Sequence, residues 1–538
     1  MRADAAARAS LMKAILSDDA TEQAALIRDL AHTPDPLIEQ VLGAWRLGSL
    51  YIHEGPGGLK LPFLLDPATD AEGKAQGLQW PASEPIKDAS GKPLLFSASE
   101  LTPADTTAKL RKVIKTTLDL YALARPQPRQ RRDAVVKIGQ EQNADYLPFL
   151  EARLKIESDK EVRQSLTEAV ALTRMVSDDP GIRSAAVTLL GEIRSIQSVS
   201  FLQKLREDVK AGRVKDEATV TAVHRAVDLI ENYIWWGNLY GTVFRGFSLS
   251  AVLLLAALGL AITFGLMGVI NMAHGEVMMV GAYTTYVVQN LFKSAFGASG
   301  AGFDSYFPAA LAASFFFAGL VGLALERGII RFLYQRPLES MLATWGVSLL
   351  LQQIFRHIFG AANVQVSSPR WLSGSYVVHD VLLAYNRLFV IAFAVLVVLG
   401  TWLLLVRTPV GLQIRAVMQN RAMASCLGVR TDRVNMLTFM FGSGLAGMAG
   451  ACLSQIGNVG PSLGQNHIVD CFMIVVMGGV GNLLGTVFAS LGVGVTDQIL
   501  QPWLGAVMGK ITVLAAIILF LQWRPAGLFV TRSRSLEG

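Results

Sequence analysis

Cysteine is nearly absent: the 538 residues hold only Cys426, Cys452 and Cys471, and none of the three falls in a CxxC pair. That excludes a cysteine metal framework and a disulfide scaffold. Residues 1–240 have no cysteine, so the redox compartment of that part is not legible. Nucleotide and zinc signatures are missing as well. The run "GAVMGKI" (505–511) is one residue short of GxxxxGK[ST] and lacks the hydroxyl residue that holds magnesium, so ATP binding by this chain alone is not expected. "HEGPGG" (53–58) has no second histidine for an HExxH helix, and its glycines would break one. No Ser/His/Asp set or metal arrangement is visible, so no enzyme is expected. The opening "MRADAAARASLMKAILSDD" has no apolar h-region of a signal peptide.

Charge is scarce in one half only. From residue 241 onward there are 17 Lys+Arg and 9 Asp+Glu, against 31 and 33 in residues 1–240. The overall 52% hydrophobic content therefore averages a charge-rich, soluble-looking part and a membrane-embedded one. Runs such as "AVLLLAALGLAITFGLMGVI" (251–270) and "LFVIAFAVLVVLGTWLLLV" (388–406) approach the roughly 20 residues that cross about 30 Å of hydrocarbon as a helix. Nine segments are expected, near 246–267, 276–290, 307–326, 338–360, 388–406, 435–457, 466–480, 484–500 and 509–523. Arginines in the connections set the orientation. Arg327, Arg331 and Arg336, then Arg407, Arg415, Arg421, Arg430 and Arg433, then Arg524, Arg532 and Arg534 mark cytoplasmic stretches. This places the N-terminal module outside, in tension with the missing h-region.

The first part divides into a helical segment at 1–44, an irregular segment at 45–105 whose Pro, Gly and Ser favour short strands and turns, and a helical module at 106–236. Within 130–210, "RRDAVVKIGQEQNADYLPFLEARL" and "IRSAAVTLLGEIRSIQSVSFLQKLRE" overlay, with "EVRQSLTEAVALTRM" echoing their first helix. Arg132, Arg163 and Arg183 occupy the shared helix-start position. Such repeating amphipathic helix pairs resemble a HEAT-like stack.

Polar residues interrupt the apolar half at "GVINMAHGEVMMVG" (268–281). Asn271, His274 and Glu276 sit there at membrane depth, where ionisable residues are costly unless they face protein, a partner or water. They form either a polar turn closing a helix pair or a break lining a pathway. Between Pro409 and Gly428 the chain reads as one amphipathic helix, apolar at Ile414, Val417, Met418 and Leu427 and polar at Arg415, Gln419, Asn420 and Arg421, with Gly428 as a left-handed stop. It is a docking helix or a basic loop that sets topology. Ser443, Gly447 and Ala451, then Ala446, Gly450 and Ser454, then Gly481, Gly485 and Ala489 recur every four residues, as tight helix packing in lipid requires. His467 and Asp470, three apart, are either an outer-gate pair or a hydrogen-bonded helix start.

The run "LGLAITFGLMGVINMAHGEVMMVGAY" resembles the opening signature of the branched-chain amino-acid permease family of ABC importers. "RAVMQNRAMASCLGV" (415–429), "VVMGGVGNLLGTVFASLGVG" (475–494) and "RPAGLF" (524–529) follow in the family's order. The helical extension resembles the urea-type members. The resemblance implies an all-α polytopic membrane protein of about nine transmembrane or half-membrane helices, with residues 237–538 as permease domain and a HEAT-like N-terminal extension. It implies residence in a bacterial inner membrane beside a second permease subunit, two ATP-binding subunits and an extracytoplasmic solute-binding protein. ATP-Mg would be bound by those partners and not by this chain. Residues 407–433 would carry the coupling helix, with Arg415, Gln419, Asn420, Arg421 and Gly428 on it. Urea is the first solute implied, followed by short amides and branched-chain amino acids. A receptor or scaffold anchored by its helices, or a passive solute channel, are the readings from other classes, and no nucleic acid is expected.

Overall fold

The computed structural model describes residues 2–529, apart from 55–59, 70–73, 83, 88–91, 98–100, 298–299 and 335. Arg532 and Arg534 lie outside the described residues, as does most of "HEGPGG". The chain divides into two compact units, Met1–Ile234 and Trp235–Gly538.

The first unit opens with α1 (Arg2–Leu16), α2 (Ala20–Asp29) and α3 (Pro36–Leu47). Asp35 caps α3 by accepting from the Leu37 N–H at 2.9 Å, and Arg8 pins the same carboxylate at 2.6 Å. Five strands form an antiparallel sheet, β1 (Leu50–Glu54), β2 (Lys60–Thr69), β3 (Ala75–Gln79) and β4 (Glu84–Pro85) in that order, with β5 (Leu95–Phe96) pairing β3. Helices resume with α4 (Ala108–Ala122), α5 (Pro128–Glu141), α6 (Leu147–Ile156), α7 (Lys160–Arg174), α8 (Pro180–Glu192) and α9 (Val199–Lys210). Leu11, Ile27, Trp45 and Ile114 fill a core among the first four helices, Val135, Leu150 and Leu166 a second, and Val187, Leu202 and Val223 a third.

The buried arginine of α5 is Arg131, not Arg132. Arg131, Arg163 and Arg183 are each the fourth residue of their helix, and each donates to a carbonyl six residues back, on Arg125, Glu157 and Ser177. Arg132 is exposed and pairs with Glu161 at 3.0 Å. Glu157, 3% exposed, accepts from Arg131 through both oxygens at 2.9 and 2.8 Å, from Arg153 at 2.8 Å, and from the Ser158 and Asp159 N–H groups. Burial pushes this carboxyl up, but the Arg131 and Arg153 hydrogen bonds outweigh it and hold the pKa at about 2.

Helix α10 (Glu217–Met267) begins in the first unit and ends in the second. The second unit continues with α11 (His274–Phe296), the short α12 (Ala301–Asp304), α13 (Tyr306–Gly328), α14 (Pro337–Phe359), α15 (Tyr385–Arg407), α16 (Pro409–Gln419), α17 (Arg421–Cys426), α18 (Thr431–Ser454), α19 (Leu463–Gly478) and α20 (Leu483–Trp523). Among the described residues five helices are long and apolar enough to cross a membrane, within α10, α13, α15, α18 and α20. The segments expected at 484–500 and 509–523 both fall within α20, whose helical run breaks at Gly505, φ 78° and ψ 165°.

A hairpin, β6 (Ser375–Val378) and β7 (Val381–Ala384), departs from the all-helical expectation. His379 and Asp380 take φ of 51° and 59° at its two-residue turn, the left-handed pair that a primed turn needs. The usual Asn-Gly is absent there, so the sequence gives no strong hairpin signal.

Candidate functional site

Helix α10 ends at Met267, and Gly268, φ 66°, turns the chain. Asn271 closes the turn, its Oδ1 accepting from the Ala273 N–H at 3.0 Å, and α11 starts at His274. Such an Asx turn is a local device that asparagine supplies readily. Asn271, His274 and Glu276 are all buried. The His274 Nε2 donates to the Ala256 carbonyl of α10 at 2.9 Å. A carbonyl only accepts, so the neutral ring carries its proton on Nε2. Glu276 Oε1 accepts from Gln352 Nε2 of α14 at 2.8 Å, and the Met272 N–H donates to Thr344 Oγ1 of the same helix at 3.0 Å. The stretch therefore ties α11 to α10 on one side and α14 on the other. Asn271 Nδ2, His274 Nδ1 and Glu276 Oε2 have no hydrogen-bond partner among the described residues.

Small residues bring the backbones around this junction together. A Cβ at Gly450 of α18 would collide with the Met278 carbonyl of α11, and one at Gly447 with the Ser314 carbonyl and Ala318 of α13. Ser443 occupies the space beside Gly322 of α13. The four-residue spacing thus serves helices of the same chain. Close approach of this kind supplies van der Waals contact where lipid offers no hydrophobic gain between helices.

The stretch 409–428 is two helices, where the sequence predicts one. Asn420 leaves the helical region at φ −158° and ψ 104°, and its Oδ1 accepts from the Met423 N–H at 2.9 Å to cap α17. Gly428, φ 84°, ends α17: the Val429 N–H reaches the Ala424 carbonyl and the Gly428 N–H the Ser425 carbonyl, both at 3.0 Å, which is a Schellman stop. Ile414, Val417, Ala424 and Val434 form a small core beneath the pair. Leu427 is not part of it; its side chain is 78% exposed, alongside exposed Leu412 and Met423. Arg415, Gln419, Asn420 and Arg421 are exposed as expected of a polar face. Arg421 packs its guanidinium over the Tyr334 ring, 4.8 Å from the centroid, and meets Asp432 at 3.5 Å. Tyr334 in turn donates to Glu326 Oε1 at 2.8 Å, which links α17 to α13.

His467 Nδ1 donates to the Leu463 carbonyl at 3.0 Å, so it ties the first turn of α19. Asp470 pairs with Lys510 of α20 at 3.2 Å. Reasoning from sequence passed over Lys510 and Asp497, although ionisable residues in an apolar helix are themselves a signal.

The described residues contain no group of three or more His, Cys, Asp or Glu that could hold a metal ion. Residues 242–521 match the family described as branched-chain amino acid transport system, permease component. The chain is 27% identical over 299 residues to the high-affinity branched-chain amino acid transport system permease protein BraD of Pseudomonas aeruginosa, covering 53% of this chain and 93% of that protein. It is 28% identical over 295 residues to the corresponding permease protein LivH of Salmonella typhimurium, covering 53% and 94%. It is 26% identical over 302 residues to a probable LivH permease of Methanocaldococcus jannaschii, covering 52% and 89%. No solved structure gives a significant match.

Proposed function

The chain belongs to the family of branched-chain amino acid transport system permease components, and from that premise we propose that it is the membrane subunit through which an ABC importer moves urea or a related short amide into the cell. A permease of this family is a multi-pass inner-membrane protein that works with ATPase and solute-binding subunits. In the full reading these are a second related permease, two ATP-binding subunits and one extracytoplasmic binding protein, and nine helical segments put the first unit outside and the C-terminus in the cytoplasm. Residues 106–236 form a HEAT-like stack, and the N-terminal module to which they belong contacts the binding protein. Protease added to intact cells would cut 130–210 if that side is right.

The observation that carries the mechanism is the exposed face of α16 and α17. Their inner side chains pack as a unit, while Arg415, Gln419, Leu412 and Leu427 stay in solvent. A short helix pair with exposed apolar anchors among charges suits a groove on another protein. The ATPase subunit is the occupant, and its closure on ATP moves α15 and α18, to which the pair is directly joined. Asn271, His274 and Glu276 act as the break that holds α10, α11 and α14 in register beside the pathway.

Branched-chain amino acids are the second solute reading, favoured by the names of the relatives; the extension beyond the matched residues favours urea. Uptake of labelled urea and leucine by cells carrying or lacking the chain separates them. ATP-dependent loss of urea uptake alone supports urea, loss of leucine uptake moves the substrate to amino acids, and no change in either contradicts the importer reading.

A further inference from the structure

A cavity of about 300 Å³ lies between α10, α19 and the two halves of α20. Its walls are mostly apolar, supplied by side chains such as Leu253 and Val493, yet polar groups converge on it from both sides of the break at Gly505. Asp497 and Gln501 precede the break, Lys510 follows it, and His467 and Asp470 face them from α19. Lys510 Nζ meets Asp470 Oδ2 at 3.2 Å and donates to the Asn466 carbonyl at 3.3 Å. Asp497 is only 5% exposed. Its Oδ2 accepts from Gln501 Nε2 at 2.7 Å and from Gln498 Nε2 at 3.4 Å, while Oδ1 has no partner among the described residues.

A carboxylate inside an apolar helix is costly unless each oxygen finds a donor. Here one oxygen is held by the chain itself, and the other is buried without a donor on a residue that borders a space of ligand size. The charges at the cavity are two carboxylates and one ammonium, so a further donor complements them. Lys510 rules against a divalent cation, because its ammonium repels one. The complementary ligand offers N–H groups at one end and a carbonyl or carboxylate at the other.

We propose that this cavity is a binding site within the permease unit for a small polar solute, whose N–H donors meet Asp497 and whose acceptor oxygen meets Lys510. Urea and an amino acid share that chemistry. The site rests on the importer reading for its choice of probes, but its geometry does not depend on which of the two is carried. Gln501 is a positioning residue, since it fixes the Asp497 carboxylate by its hydrogen bond.

The test is equilibrium binding of radiolabelled urea and of radiolabelled leucine to the full chain in lipid nanodiscs, without binding protein or ATPase. The wild type binds one of them saturably, and Asp497→Asn and Lys510→Met each weaken that binding about tenfold or more, as expected for a site that reads hydrogen-bonding groups. If Asp497→Asn does not reach the membrane, Lys510→Met alone decides, since Lys510 is half-exposed. Absence of saturable wild-type binding, or affinity of the readable variant within about twofold of wild type, overturns the site. Uptake by cells is measured in parallel. Uptake by the wild type without binding overturns this site and leaves the importer standing; binding without uptake does the reverse.

Discussion

Glu157 and Glu276 are both buried carboxylates, but they are satisfied by different means. Glu157, in the charge-rich unit, has two arginines and two backbone N–H groups around it. Glu276, between helices of the apolar unit, accepts from one glutamine amide. The first arrangement is a full ion-pair network at the turn between stacked helices. The second is a single tie between helices whose contact comes mainly from backbones lying against one another through glycine. Charge networks organise the unit with many charges to spend, and small residues organise the unit that has few.

The largest expected effect tests the glycine side of this contrast. Gly450→Leu puts a side chain into the Met278 carbonyl, and the chain is expected to be lost from the membrane fraction, which an immunoblot of that fraction measures. Full-length protein at wild-type level would break the comparison.

Next comes the charge side. Arg131→Ala leaves Glu157 with a lost bidentate partner and is expected to destabilise the first unit by about 3–5 kcal/mol, the usual effect of breaking a buried pair. Arg132→Ala, at the neighbouring exposed pair, is expected to change stability by less than about 1 kcal/mol. Thermal unfolding of the two variants, with the transition assigned by amide exchange in 128–174, separates them. Equal effects would mean that the register of the buried arginines is wrong.

The same network gives a pH window. The folded pKa of Glu157, about 2, lies below its ordinary 4.5. Its contribution to stability is therefore complete above about 4.5 and is lost as pH falls towards about 2. Amide protection in the first unit should fall across that window in the wild type and show less dependence in Glu157→Gln, which starts less stable.

The smallest effect sharpens the docking pair. Asn420→Ala removes the cap of α17 and should cost about 1 kcal/mol locally. Faster amide exchange confined to 421–426 is the readout.

Much of this was legible from residue order. Gly428 announces its own left-handed stop, and the small residues of α18 announce close packing, because each is a local requirement written in one residue type. Where two residues of the same type adjoin, as at Arg131 and Arg132, the pattern alone misses the register; counting from Pro128 and Pro180, each the first residue of its helix, recovers it. The break at Asn420 was readable as a cap, but the apolar periodicity ran across it and hid it. The cavity at Asp497 was not legible, since it depends on the turn at Gly505 bringing Lys510 back towards α19. Periodicity does not report that kind of return.

The most direct test of the account is recovery of ATP-binding subunits with the tagged full chain from its native membrane, comparing wild type with the Arg415→Glu/Leu427→Asp double variant at equal membrane levels. The account expects P-loop ATPases to accompany the wild type and to be lost from the double variant together with ATP-dependent uptake. ATPases retained on the double variant, with uptake unchanged, would contradict it.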